Sequence, residues 1–176
     1  MFPEREQYRF GLAGQGQADV IQSVLQHRPG RVLNIGCGFR GEALDNLARY
    51  CLLLIAADKD PRVPKMAASD VFRPNVRLLA ADVHQLPFAN GCFEHILALG
   101  LFFHVPDPVN ALKELRRVCH PGSTVMITNS VQHPQEQLRV AAADVGLDVL
   151  DEHEGPCPAA SGDIKRRYLI VFRARG

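Results

Sequence analysis

Arg31-Val32-Leu33-Asn34-Ile35-Gly36-Cys37-Gly38-Phe39-Arg40-Gly41 runs from a short apolar segment into a glycine-rich turn and on into a helical pattern. Glycine tolerates backbone angles that a side chain forbids, so the chain can reverse tightly here and bring its amides close to a ligand. A helix opening near Gly41 adds unpaired N–H groups and the positive end of its dipole. The segment therefore reads as a nucleotide-binding turn. Taken literally, Gly36-x-Gly38-x-x-Gly41 is also the dinucleotide pattern of NAD-binding proteins, a weak signal by itself. The remainder of the chain has to separate the two cofactor readings.

Length and composition set the frame. A chain of 176 residues that is 47% apolar makes one domain with a sizeable core. Residues 17–173 read as that core, and residues 1–16 as an N-terminal lid segment. A net charge of +1 gives no electrostatic case for nucleic acid, and Lys165-Arg166-Arg167 with Arg173 and Arg175 reads as a solvated basic end. No apolar run reaches the length of a membrane span, and the polar start Met1-Phe2-Pro3-Glu4-Arg5 is unlike a signal peptide, so the sequence predicts a cytoplasmic protein without a membrane partner. Five cysteines (37, 51, 92, 119 and 157) without a Cys-x-x-Cys argue for reduced, mostly buried thiols. No histidine has defensible metal-ligand spacing, and no metal is expected.

The order of elements predicts a parallel sheet. Val20, Ile21, Val24 and Leu25 share one face of a helix over 17–26, which Pro29-Gly30 stops before the first strand. Leu44, Leu47 and Ala48 stripe the next helix. The run 51–57 is continuously apolar, as a strand covered on both faces should be. A short helix over 64–69, strands at 76–80 and 93–99, a helix over 108–119 and a strand at 124–128 follow. Strand and helix thus alternate.

The C-terminus discriminates best. A helix over 135–145 ends at Gly146, and 147–152 and 168–173 read as two more strands. The loop between them holds Gly155, Pro156, Pro158, Ser161 and Gly162, and so cannot be a crossover helix. An antiparallel neighbour can be reached through such a loop, whereas a parallel one needs a crossover. An antiparallel ending counts against the six parallel strands of the dinucleotide fold.

Four blocks in order now resemble a known family: Val32-Leu33-Asn34-Ile35-Gly36-Cys37-Gly38, then Ala57-Asp58, then Ala81-Asp82-Val83-His84-Gln85-Leu86-Pro87-Phe88 running into Phe93-Glu94, and Leu115-Arg116-Arg117-Val118-Cys119-His120-Pro121-Gly122. Over residues 18–173 the chain resembles a small class I S-adenosylmethionine (SAM) dependent methyltransferase of the ubiquinone-biosynthesis-like, type 11 group. The resemblance implies an α/β Rossmann-like fold, a mostly parallel sheet of seven strands with the last antiparallel and helices on both faces. It also implies SAM as methyl donor. Asp58, about 20 residues beyond Gly38 and followed by Lys59, is placed to accept bonds from both ribose hydroxyls; capping of the next helix is the alternative. Asp82 is expected at the adenine amino group and the Val83 amide at a ring nitrogen, with turn formation as the alternative. Leu86-Pro87-Phe88 reads as packing, and Phe93-Glu94, where the family has Phe-Asp, as structural. The methionine end of SAM is expected between Gly36, with Cys37 and Gly38, and Leu99-Gly100, at the sheet's carboxyl edge.

Two positions depart from the family pattern. Asn34 stands where an acidic residue helps hold the methionine ammonium, and keeps an acceptor while losing the charge. Arg40 stands where a third glycine is usual, to contact the SAM carboxylate, cover the site or face water. Methyl transfer asks chiefly for alignment and exclusion of water, but an oxygen acceptor also needs a base. His104, in Phe102-Phe103-His104-Val105-Pro106-Asp107, is the first candidate and His133 the second. The acceptor is expected to be a small molecule. Phe2, Tyr8, Phe10 and the loop over 154–163 are the spare material for a lid, and a second copy of the chain could complete the site as a homodimer. A catalytically weak SAM-fold binding module and, further off, an NAD-binding protein are the alternatives.

Overall fold

Helix α1 (Gln17–His27) buries Val20, Ile21, Val24 and Leu25 on one face, and β1 (Arg31–Ile35) enters the sheet behind it. The computed structural model describes residues 17–38, 41–130, 135–158 and 164–176. The expected lid segment 1–16, the tip of the 154–163 loop, Arg40 and His133 therefore lie outside the described residues. Next come α2 (Gly41–Leu47), β2 (Leu53–Asp58), α3 (Arg62–Ala67), β3 (Val76–Ala80), β4 (Phe93–Leu99) and α4 (Pro108–Val118). The chain ends with β5 (Cys119–Ser130), α5 (Gln135–Asp144), β6 (Leu147–Pro158) and β7 (Ile164–Ala174).

The sheet has seven strands in the order β3-β2-β1-β4-β5-β7-β6. β1 pairs parallel with both β2 and β4, and β7 is antiparallel to both β5 and β6. The strands read as continuous apolar runs because both faces are covered. Leu33, Ile35, Ile96, Val125, Ile127 and Phe172 point into one core with α4, while Val32, Leu97, Met126 and Val171 point into the other with α1 and α2. α4 starts at a side-chain cap, Asp107 accepting from the Asn110 amide at 3.0 Å with Pro108 in the first turn.

Three elements outrun their sequence signals. β5 starts at Cys119, directly after α4, and not at Thr124; Pro121-Gly122 falls where the pairing with β4 shifts register, so it makes an irregularity inside a strand rather than a turn before one. β6 reaches Pro158 and β7 begins at Ile164, so 154–158 is strand and not loop. Pro156 and Pro158 are tolerated because β6 is the sheet's outer edge, paired only with β7. β2 begins at Leu53 and not Cys51, after a short 3₁₀ turn over Ala48–Tyr50.

At the amino edge the sheet is tied by polar contacts. Glu94 takes bonds from the Arg31 amide (2.7 Å) and guanidinium (2.7 and 3.1 Å), which gives it a structural task away from the carboxyl edge. A Cβ on Gly30 would stand 2.7 Å from that of Glu94, so the neighbouring position must be glycine. Of the described thiols, Cys51 and Cys119 are buried, whereas Cys37 and Cys92 are only half-buried, being at strand or loop ends.

Candidate active site

Strand order reverses between β1 and β4, and in open α/β sheets the crevice beyond such a point is where ligands bind. The turn after β1 closes one side of it. The amides of Gly36 and Cys37 both donate to the Ala57 carbonyl, at 2.8 and 3.1 Å, which clamps the turn to the end of β2. Gly36 and Gly38 have φ of 72° and 64°, the left-handed region that favours glycine. An added Cβ at Gly36 would lie 2.9 Å from Leu101 Cδ1, whereas at Gly38 it would meet no described atom within 4 Å. Among the described residues nothing thus crowds the second glycine, while the first supports the chain leaving β4.

Asp58 joins the turn to the next loop. Its Oδ2 accepts from the Gly38 amide and its Oδ1 from the Asp60 amide, both at 3.1 Å. It does not cap α3: the N-cap residue there is Pro61, and the Arg62 amide is taken by Asp60 Oδ1 at 3.0 Å. Each Asp58 oxygen keeps a lone pair for a further donor.

Asp82 forms a turn, with Oδ1 accepting from the His84 amide at 3.0 Å and facing His84 Nδ1 at 2.8 Å. Lys59 Nζ meets its Oδ2 at 2.8 Å, so this residue bridges from the end of β2 to the carboxylate after β3. The His84 amide bond and the Lys59 contact hold the Asp82 carboxyl well below the usual carboxylate range, against the opposing effect of burial. It is ionised at neutral pH and a permanent acceptor. The Val83 side chain is buried in the core, leaving its backbone to any ligand. Burial, helped by the Asp58 charge, pushes the Cys37 thiol up to about 12, away from the lowered range of reactive cysteines.

On the other side Leu99-Gly100 ends β4, with the Gly100 amide donating to the Thr128 carbonyl at 3.3 Å and φ at 75°. Asn34 lies mid-sheet between Ala56 and Leu97 and is 7% exposed, a polar side chain held inside β1. His104 is exposed in the loop after Gly100, its amide bonded to the Leu101 carbonyl at 2.9 Å and its ring edge-on to Phe103. The fold thus ties Gly36, Cys37, Gly38, Asp58, Lys59, Asp82 and Val83 together through a continuous set of bonds, and Leu101, next to Gly100 in the chain, packs on Gly36.

Sequence reading missed five contributors. Leu101 packs on Gly36, and His84 braces Asp82. Arg117 with Glu114 pins the loop after Asp82; both belong to α4, and the quoted motif around Arg117 was the available signal. Arg167, placed in a solvated basic end, is instead half-buried, with its guanidinium 5.2 Å over the Phe103 ring. Arg175, beyond the other end of β7, does face solvent, paired with Asp148.

The geometry has known counterparts. The methyltransferase domain family matches residues 33–127. An uncharacterized methyltransferase of Mycobacterium sp. (strain JLS) is 31% identical over 116 residues, covering 65% of this chain and 45% of its own. Ajmaline N-methyltransferase of Rauvolfia serpentina is 25% identical over 119 residues, covering 64% of this chain and 41% of its own, so the chain spans less than half the length of these relatives. The N-methyltransferase NodS of Bradyrhizobium japonicum superposes with a TM-score of 0.74 at 17% identity, over 98% of this chain and 97% of that one, a likeness of fold. A turn clamped to β2, two carboxylates at successive strand ends and a seven-stranded sheet with β7 antiparallel are thus found in a chain that belongs to the methyltransferase domain family, with the class I SAM-dependent fold.

Proposed function

We propose that the protein transfers the methyl group of SAM to a small-molecule acceptor at the β1–β4 crevice. The observation that carries this reading is the bond network from the glycine turn through Asp58 and Lys59 to Asp82, which ties two carboxylates at successive strand ends to one side of the crevice. The residues fit the cofactor. Asp58 would accept from the ribose hydroxyls, Asp82 from the adenine amino group once Lys59 shares or yields its oxygen, and the Val83 amide would donate to the ring. Gly36, Cys37 and Gly38 would line the methionine end opposite Leu99 and Gly100. Asn34 would reach it from within the sheet as a neutral acceptor, and Arg40 is assigned to the same end by the family pattern alone.

SAM supplies an activated sulfonium. The acceptor's lone pair forms the new bond to the methyl carbon as the C–S bond breaks, its electrons going to sulfur, and the acceptor's proton leaves to a base or to water. The chain's task is to align the acceptor and keep water away. For an oxygen acceptor His104 is the first candidate base, being exposed on the loop that leaves β4, and His133 the second.

The test is release of S-adenosylhomocysteine from SAM in the presence of pooled small-molecule acceptors. Release that depends on the pool is expected; SAM binding without any release would favour the binding-module alternative. If the acceptor atom is oxygen, His104→Ala is expected to lower turnover about 10²-fold or more with SAM affinity unchanged. A fall of only about twofold would return His104 to the surface and favour another acceptor atom. Sedimentation of the full chain would report whether a homodimer completes the site.

A further inference from the structure

The Asp82 carboxylate, like any ionised carboxyl, offers about four acceptor positions, two to an oxygen. Its Oδ1 takes the His84 amide at 3.0 Å and faces the His84 ring Nδ1 at 2.8 Å, while its Oδ2 meets Lys59 Nζ at 2.8 Å. A carboxylate only accepts, so Nδ1 carries the ring proton and donates. Oδ1 is thereby filled, and the position left over is on Oδ2. The segment under it is pinned: the Gln85 amide donates to the Asp82 carbonyl at 3.0 Å, and Glu114 takes the Leu86 amide at 2.9 Å. The other ring nitrogen of His84, Nε2, is buried and meets no partner among the described residues. A buried nitrogen left unpaired costs stability, so an apolar side chain of similar size would serve packing better. The use of this ring lies at Nδ1.

We infer that His84 is a positioning residue that makes the site select a 6-aminopurine over a 6-oxopurine, by holding Asp82 so that its remaining acceptor position meets the exocyclic amino group. The inference rests on the proposal that Asp82 and the Val83 amide receive the adenine edge. An adenine amino group donates to Asp82, and the ring nitrogen beside it accepts from the Val83 amide. In a 6-oxopurine both are reversed, an oxygen facing the carboxylate and a ring N–H facing the amide. A carboxylate free to turn escapes the conflict by swinging across to accept from that ring N–H. One held in place leaves the wrong base with unpaired polar groups, which is how a polar site rejects a near-isostere. Lys59 supplies little of the restraint, because its side chain is 77% exposed and a long exposed ammonium yields its geometry readily. The His84 ring, 22% exposed and on the pinned segment, supplies the rest.

The test is calorimetric titration of the full chain with S-adenosylhomocysteine and with S-inosylhomocysteine, its 6-oxo counterpart, alongside urea unfolding. The wild-type chain is expected to prefer the adenosyl form by about a hundredfold or more. His84→Leu fills the space without a donor; it is expected to keep its urea midpoint, the lost Nδ1 bond being offset by removal of the unpaired Nε2, and to lose about tenfold or more of the preference, the size of one hydrogen bond to a charged group. His84→Asn puts an N–H where Nδ1 stands and has no counterpart of Nε2, and is expected to hold the preference within about threefold of wild type. Equal affinity for the two ligands in the wild-type chain, a preference intact in His84→Leu, or an equal loss in both variants overturns the inference. So does a His84→Leu chain that fails to fold, since the ring then serves structure. Failure of the wild-type chain to bind S-adenosylhomocysteine overturns the cofactor reading itself, an outcome separate from cofactor binding without a base preference.

Discussion

Asp58 meets the proposed adenosine site with each oxygen already holding one backbone amide, so it both shapes the turn and keeps acceptor capacity for a ligand. Asp58→Ala removes those acceptors and the charge-assisted bonds to ribose, each worth about 1.5–3 kcal/mol. S-adenosylhomocysteine affinity, read by calorimetry, is expected to fall about a hundredfold or more. Undiminished affinity in a folded variant would leave Asp58 a turn residue only. At Gly36 the cost is conformational: the backbone is left-handed and Leu101 stands 2.9 Å from an added Cβ. Gly36→Ala is expected to lower unfolding stability in urea by about 1–2 kcal/mol or more, the penalty of the left-handed region before any shift of Leu101. Both positions are legible in the sequence because their jobs are local, a reversal after a strand and a carboxylate at the end of the next. Arg167 is not legible. Its partner lies on the far side of β5, and only the register of an antiparallel strand brings them together.

At the scale of elements, α4 holds the loop that carries Asp82. Arg117 donates to Glu114 (2.8 and 2.9 Å), to the Leu86 and Phe88 carbonyls (2.9 and 2.7 Å) and to Asn90 Oδ1 (2.9 Å), while Glu114 accepts from the Leu86 amide at 2.9 Å. Arg117→Ala strands a partly buried carboxylate and two carbonyls. It is expected to cost about 2–4 kcal/mol in urea unfolding and to weaken S-adenosylhomocysteine binding as the Asp82 loop loosens. An unchanged midpoint would make the clasp ornamental. The same loop explains why Leu86 and Phe88 read correctly as packing, Leu86 being buried and Phe88 meeting Phe93 edge-on at 5.0 Å, whereas Pro87 between them is exposed. Element limits were legible where a helix start or an apolar run marked them, as at β3, β4 and the start of α4. They were not legible in β6 and β7. Glycine and proline signal a turn by local preference, but pairing along an outer edge overrides that preference where no ladder N–H is needed at the proline positions.

Across the molecule, the amino edge holds a pH-sensitive tie. His95 is 1% exposed, its Nε2 2.6 Å from the Arg28 carbonyl and its Nδ1 2.6 Å from Thr124 Oγ1. A carbonyl only accepts, so Nε2 carries the proton and the neutral ring is satisfied. Burial, only partly offset by the bond to Arg28, lowers its pKa from the ordinary 6.5. The unfolded chain then binds the proton first, so this contribution to stability is complete above about pH 6.5 and is lost as pH falls toward the folded-state value. Thermal unfolding scans from pH 7.5 down to 5 are expected to show a falling midpoint that flattens in His95→Gln; an identical slope in the variant would acquit the histidine. Fold class and family were thus readable from four motifs in order, while contacts such as that of Arg167 with Phe103 depend on tertiary placement. In the function proposed above, two carboxylates and a clamped glycine turn make an adenosine site for SAM rather than a dinucleotide site. Calorimetric titration of the chain with S-adenosylhomocysteine and, separately, with NADH tests it most directly. Saturable heat with S-adenosylhomocysteine and none with NADH is predicted; tight NADH binding with no S-adenosylhomocysteine heat would contradict it.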